Sequence, residues 1–309
     1  MGWSIALPDA TSANPRRLNL ARPLRPRELE DTLNHRLYHP LAWQLAKLLA
    51  RTPFTPNQVS VTGGLTVICA GIAYTSPLWG GAAWPFSAML GLLLHMAWHV
   101  IDGADGDLAR MTGRSSPRGE MIDGLCDYAS HFVLYLMLGA FLAAGIGPWG
   151  WAIAWSAGIA HAVQSAHVES QRRFYLYWVY GKPWLNNARP EGRGPFSWLV
   201  SLYLRLAQGT TPSALAIDRA VTAAADDPVR MGSLREAVRA QMPLLLRLEK
   251  LLGPNSRAIA LGLSMLLTAS PLAYFVYGGV WLTLLLVLSI VLHNRAWRRV
   301  AARIDALAG

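Results

Sequence analysis

Three long stretches of this sequence contain no Asp, Glu, Lys or Arg: residues 52–101, 128–168 and 258–294. Few water-soluble folds survive that pattern, because a helix at a protein surface needs a polar face. A bilayer, by contrast, is crossed by roughly 20 mostly apolar residues. Each stretch is long enough for two crossings. Each is also interrupted near its middle by turn residues: Ser76-Pro77 with Gly80-Gly81, Gly145-Ile146-Gly147-Pro148, and Gly278-Gly279. Gly and Pro punctuate local structure in this way. The pattern predicts an all-α integral membrane protein with six transmembrane helices arranged as three hairpins. The last hairpin is short, and Arg295 to Arg303 is expected to continue it as an interfacial helix. Composition agrees, since 15% of the 309 residues are charged against about 25% in soluble domains.

The basic residues set the orientation. The three hairpin turns carry no charge, while Lys and Arg crowd Arg16 to Arg51, Arg110 to Arg118, Arg172 onward and Arg295 to Arg303. Cytoplasmic loops hold the Lys/Arg excess, which places both termini and both long connections in the cytoplasm. The net charge of +10 lies at membrane edges. It fits attraction to anionic membrane lipid and argues against a nucleic-acid partner. Cys69 and Cys126 fall in predicted membrane helices, make neither a zinc spacing nor a disulfide framework, and read as small buried residues. The Pro- and Arg-rich N-terminus lacks the apolar core of a cleavable signal. The thirteen Trp read mostly as interfacial anchors.

Five regions follow. Residues 1–27 form a tail. In residues 28–54, Leu29, Leu33 and Leu37 and then Leu41, Leu45, Leu48 and Leu49 recur at helical period around Pro40, predicting an amphipathic helix in the interface plane. Residues 55–170 hold membrane helices one to four, opened by the helix-start signal Thr55-Pro56-Asn57. Residues 171–256 form a cytoplasmic or interfacial helical insertion between helices four and five. Its start signals are Thr211-Pro212, Asp227-Pro228 and the capping box Ser233 to Glu236; Phe196 to Leu206 and Leu244 to Leu252 are apolar but too short to cross. Residues 257–309 hold helices five and six with the basic tail. No repeat of solenoid period is visible.

Ionisable residues at membrane depth mark functional sites, and here they converge. Asp102 and Asp105 end helix two, with Gly106, Ala109 and Arg110 on the same helical face. After a short basic loop, Gly119, Asp123 and Asp127 recur every four residues at the start of helix three. Antiparallel neighbours joined by a short loop face each other, so four carboxylates meet across one gap. Like charges at that range need cations, and oxygen-only ligands select Mg²⁺, Mn²⁺ or Ca²⁺ over zinc. Two such ions about 4 Å apart suit phosphoryl displacement. Gly on these faces admits a phosphate or base to the backbone, and Arg110 can add a bidentate phosphate contact. The residue types describe a metal–pyrophosphate site at the cytoplasmic surface.

The pattern Asp102-x2-Asp105-Gly106-x2-Ala109-Arg110-x8-Gly119-x3-Asp123-x3-Asp127 resembles the signature of the CDP-alcohol phosphotransferases (CDP-alcohol phosphatidyltransferases) at all eight specified positions. Thr55-Pro56-Asn57-Gln58-Val59-Ser60 resembles the start of that family's first membrane helix, with Ser60 where Thr is commoner. The resemblance covers roughly residues 28 to 170 and not residues 175 to 256. It implies two ions, Mg²⁺ or Mn²⁺, held by Asp102, Asp105, Asp123 and Asp127, with Asp102 and Asp123 bridging them. It implies that Asp127 is also the general base, and that Gly106, Arg110, Ser116 and Gly119 contact the CDP moiety, with Asn57 and Ser60. It implies a CDP-linked donor such as CDP-diacylglycerol, an alcohol or alcohol-phosphate acceptor, release of CMP, and a homodimer.

Other readings compete. The family also contains enzymes that give a CDP-linked head group to a lipid alcohol. A prenyltransferase-type enzyme also uses aspartate pairs, but not these Gly and Ala-Arg elements. A transporter could have an aspartate-lined path, though transport sites sit near the midplane and this cluster sits at one surface. Around the cluster, Asp107 reads as solvated or as supporting the ligands from behind. His95 and His99 read as hydrogen-bonded lining ahead of a third metal position. His161, Gln164 and His167 either line a cavity or satisfy one another. Arg172, Arg173 and Arg193 read as a positive-inside flank ahead of a grip on an acceptor phosphate.

Overall fold

The computed structural model describes residues 26–182, 205 and 209–308, and every regular element among them is helical. A π-helical turn, Asn34–Tyr38, leads into α1 (His39–Leu49). The widened turn lies just before Pro40, whose ring cannot donate and would press on a carbonyl four residues back. α2 (Pro56–Thr75) starts at a capping box: Gln58 N–H donates to Thr55 Oγ1, and Thr55 N–H donates to Gln58 Oε1 at 2.9 Å. α3 (Phe86–Met111) and α4 (Pro117–Ile146) follow, and α5 (Pro148–Tyr180) begins one residue after α4 ends. Then come α6 (Ala214–Ala223), α7 (Pro228–Leu251), α8 (Pro254–Thr268), α9 (Leu272–Val276) and α10 (Leu282–Ala308).

Among the described residues, four segments are long and apolar enough to cross a membrane: Pro56–Trp79, Phe86–Met111, Arg118–Ile146 and Leu272–Ile304. The sequence suggested six. The other two expected crossings are α5, which is long but carries His161, Gln164, His167 and Glu169, and α8, which has only 15 residues. Both pack in the same core: Val67, Ala70 and Tyr74 of α2 meet Leu134 and Leu138 of α4, Ala154 and Ala157 of α5, and Leu261 and Met265 of α8. α2 approaches α4 closely, for a Cβ on Gly64 would lie 3.3 Å from the Cys126 carbonyl oxygen. Small residues allow such contacts between membrane helices.

The turn expected at Gly278-Gly279 is not there. Tyr277–Trp281 is a π-helical segment that stays within the last long span. The chain reverses instead at Ala269-Ser270-Pro271, where Ala269 has φ 51° and Pro271 cannot donate. Ser264 Oγ donates to the Ser270 carbonyl and accepts from Tyr274 N–H, so the break keeps its backbone groups paired, as an apolar medium demands. Two further expectations need correction. Ser233 lies inside α7, its hydroxyl on the Val229 carbonyl. The helix starts earlier, at Asp227, whose carboxylate takes the N–H groups of both Val229 and Arg230 at 3.0 Å. Cys69 is exposed and Cys126 partly so, hence neither is a core residue.

Two accessory elements brace the bundle. Ala42 and Ala46 of α1 are fully buried against Ala104, Leu108 and Met111 of α3, while Leu37, Leu41 and Leu48 face outward. The helix expected in the interface plane therefore also grips the end of α3. The insertion, α6 and α7, packs on Phe174 and Trp178 of α5 and on Trp297 and Val300 of α10. Ahead of α1, Glu28 accepts from the hydroxyls of Tyr180 and Tyr175 at 2.5 and 3.1 Å. Burial opposes its charge, but those bonds and Arg239 hold its carboxyl below the ordinary value. Phe196 to Leu206 falls almost wholly outside the described residues, as does Arg193.

Candidate functional site

The site is built where α3 ends and α4 begins. The reversal between them is tight because Gly113 takes φ 66°, a conformation that costs glycine little. Ser116 then caps α4 by accepting from Gly119 N–H at 3.0 Å. This hairpin brings Asp102, Asp123 and Asp127 together, each offering a carboxylate oxygen within 4.8 Å of the others. Asp105, 6% exposed, stands beside Asp123 and accepts from Ser60 Oγ of α2 at 2.5 Å. The spacing brought two helices to the four carboxylates, and α2 joins them through Ser60.

The flanking residues sort less uniformly. Arg110 pairs with Asp107, which is 2% exposed and so not solvated. A Cβ on Gly106 would lie 3.3 Å from the Arg110 guanidinium, so the missing side chain is the room that the arginine uses. A Cβ on Gly119 would lie 3.2 Å from Ser116 Oγ and 3.6 Å from Asn57 Oδ1. Asn57, Ser116 and Gly119 therefore share one edge of the site.

His95 and His99 are buried beside the site but are not the hydrogen-bonded lining expected, for His95 Nδ1 and His99 Nε2 have no hydrogen-bond partner among the described residues. They flank Trp98, whose indole N–H donates to Asp127 Oδ1 at 3.2 Å. Spacing hid this contact, because one Trp among many looked like an anchor. His161 bonds the Tyr135 hydroxyl, Gln164 bonds Arg257 and the Gly278 carbonyl, and His167 bonds Ser289. These three pair with other helices rather than with each other. Arg172 and Arg173 both hold Glu169, at 2.8 and 2.5 Å.

The donor set of the cluster is carboxylate oxygen throughout, and its compactness fits a hard divalent cation. Asp102, Asp123 and Asp127 could hold a metal ion.

A chain whose described regular elements are all helical, with membrane-length helices and an acidic site between two of them, is the class that fold and site define. Residues 54–176 match the family model of the CDP-alcohol phosphatidyltransferases, a span that contains all four aspartates. The resemblance read from the motif is thereby shown for this domain. The chain is also similar to "Uncharacterized CDP-alcohol phosphatidyltransferase class-I family protein 3" of Dictyostelium discoideum, 28% identical over 123 residues. The match covers 38% of this chain and 30% of that protein.

Proposed function

We propose that the protein is an integral membrane phosphotransferase of phospholipid synthesis, moving a phosphatidyl or other substituted phosphoryl group from a CDP-linked donor to an alcohol, with release of CMP. The observation that carries this reading is the meeting of Asp102, Asp123 and Asp127 within 4.8 Å inside the matched domain. Asp102, Asp105, Asp123 and Asp127 hold two divalent ions, Mg²⁺ or Mn²⁺, which would neutralise the pyrophosphate and its developing charge. Arg110 grips a phosphate oxygen, and Gly106 and Gly119 let the CDP moiety approach the helices, with Asn57, Ser60 and Ser116 along the edge. Asp127 takes the proton of the acceptor hydroxyl as that oxygen bonds to the β-phosphorus, and the bond from the β-phosphorus to CMP breaks. CDP-diacylglycerol is the favoured donor: a shallow groove lined by Phe54, Asn57, Gln58, Val61 and Thr62 includes Asn57, and its Phe54 and Val61 would suit an acyl chain. A homodimer is carried over as an expectation.

The chain crosses the membrane six times in this proposal, with the site and both termini cytoplasmic. What supports α5 and α8 as crossings is their packing. α5 turns back from α4 after one residue, and the Trp84 indole N–H, in the α2–α3 turn, donates to the Leu266 carbonyl near the end of α8 at 3.1 Å. Three uncharged reversals thus fall at one end.

Asp127→Asn and Asp102→Asn test the roles. Asp127→Asn keeps shape and a neutral oxygen but cannot accept a proton, so turnover should fall about 10²–10⁴-fold while donor binding largely survives. Asp102→Asn should weaken metal and donor binding together. Calorimetry and a CMP-release assay on both variants check this, and near-wild-type turnover of Asp127→Asn would sink the assignment of the base.

A further inference from the structure

One hydrogen bond at the site comes from a residue that the signature does not contain. Trp98 stands one helical turn before Asp102 on α3 and reaches across to α4, where its N–H meets Asp127 Oδ1. We propose that Trp98 is a positioning residue for the transfer. It holds one oxygen of Asp127 and so fixes the plane in which the carboxylate meets both the ions and the acceptor hydroxyl. The proposal rests on the reading of Asp127 as the base.

The chemistry of the two partners carries it. The last torsion of an Asp side chain is soft, so a carboxylate crowded by three others has several ways to point. An indole nitrogen only donates; it can neither accept a proton nor ligate a cation. The oxygen it holds becomes the poorer proton acceptor, and the two oxygens are no longer equivalent.

The donor is itself enclosed. Trp98 is 5% exposed, and its ring centroid lies 4.5 Å from that of His99 and 4.6 Å from that of His131. A Cβ on Gly63 of α2 would sit 3.5 Å from Trp98 Cδ1, so on that side α2 leaves room for about a methyl group and no more. His131 Nδ1 is bonded to the Asp127 carbonyl at 2.9 Å, so the wall behind the indole shares a helical turn with the carboxylate it serves. An interfacial anchor would turn its N–H toward head groups. This one is buried, with its N–H on a carboxylate.

Replacing Trp98 with 3-benzothienylalanine tests this, because sulfur takes the place of N–H in a ring of the same outline. Incorporating 7-azatryptophan keeps the N–H, and Trp98→Phe is the encoded counterpart. Turnover, donor KM and CMP affinity are measured on the full chain in nanodiscs with Mg²⁺, beside Asp127→Asn. Loss of a hydrogen bond to a charged group predicts a fall of about 10- to 100-fold in kcat for the benzothienyl and Phe variants. CMP affinity and donor KM should stay unchanged, and 7-azatryptophan should restore the rate. If Asp127→Asn turns over normally, the reading of the base fails and this inference with it. If Asp127→Asn is inactive but the benzothienyl variant keeps its rate, the positioning role alone is overturned. Equal losses in the benzothienyl and azatryptophan variants, or a matching loss of CMP affinity, would make Trp98 a packing residue and overturn it as well.

Discussion

Arg110 is tethered before any phosphate arrives. Its guanidinium donates to buried Asp107 and lies over Gly106, so little orientational freedom is left to lose on binding. Asp107→Asn should leave the helix intact but loosen the tether. We expect CMP affinity to fall about tenfold, the scale of one charge-assisted hydrogen bond, with metal affinity unchanged. Calorimetry checks this, and equal CMP affinity would mean that Asp107 serves packing alone. At this scale the aspartates were legible because offsets of three and four place side chains on one helical face. Asp107 was left between water and a supporting role for the same reason: its offset took it off that face, and no spacing rule says whether a residue off the site faces a partner or water. Trp98 was invisible because its partner lies on another helix.

The helical elements were legible where capping chemistry and apolar runs agreed. Thr55 and Asp227 both start helices as their side chains require. The failures came where two signals competed. Gly278-Gly279 sits in a strongly apolar run, and helix continued through it with a widened turn. Ala269-Ser270-Pro271 reversed the chain because a positive φ and a missing donor coincide there. Ser233 lost to Asp227 by position, since a helix already under way has no orphan N–H groups to cap. The three reversals give the topology a direct check. Single cysteines at Gly80, Gly147 and Thr268 should be labelled from the face opposite to a cysteine at Arg114. Labelling of all four from one face would refute six crossings.

Across the whole molecule, α2, α3 and α4 pack on one another beside the aspartates, and residues beyond the matched domain brace them. α1 holds the end of α3, and α6 and α7 bind the ends of α5 and α10 in one apolar cluster. The membrane character was readable from the charge-free stretches, because the bilayer imposes length and composition together. The bracing was not, because it depends on which faces of separate helices meet. This arrangement gathers carboxylate oxygens where α3 ends and α4 begins, and the central claim is that the cluster carries out metal-dependent phosphoryl transfer from a CDP donor. Release of CMP by the purified protein is the direct measurement, with CDP-diacylglycerol and CDP-linked head groups each offered alongside a panel of alcohols. The account predicts CMP release with Mg²⁺ or Mn²⁺, its loss in EDTA, and no recovery with Zn²⁺. Full activity in metal-free buffer, or no CMP from any CDP donor, would contradict it.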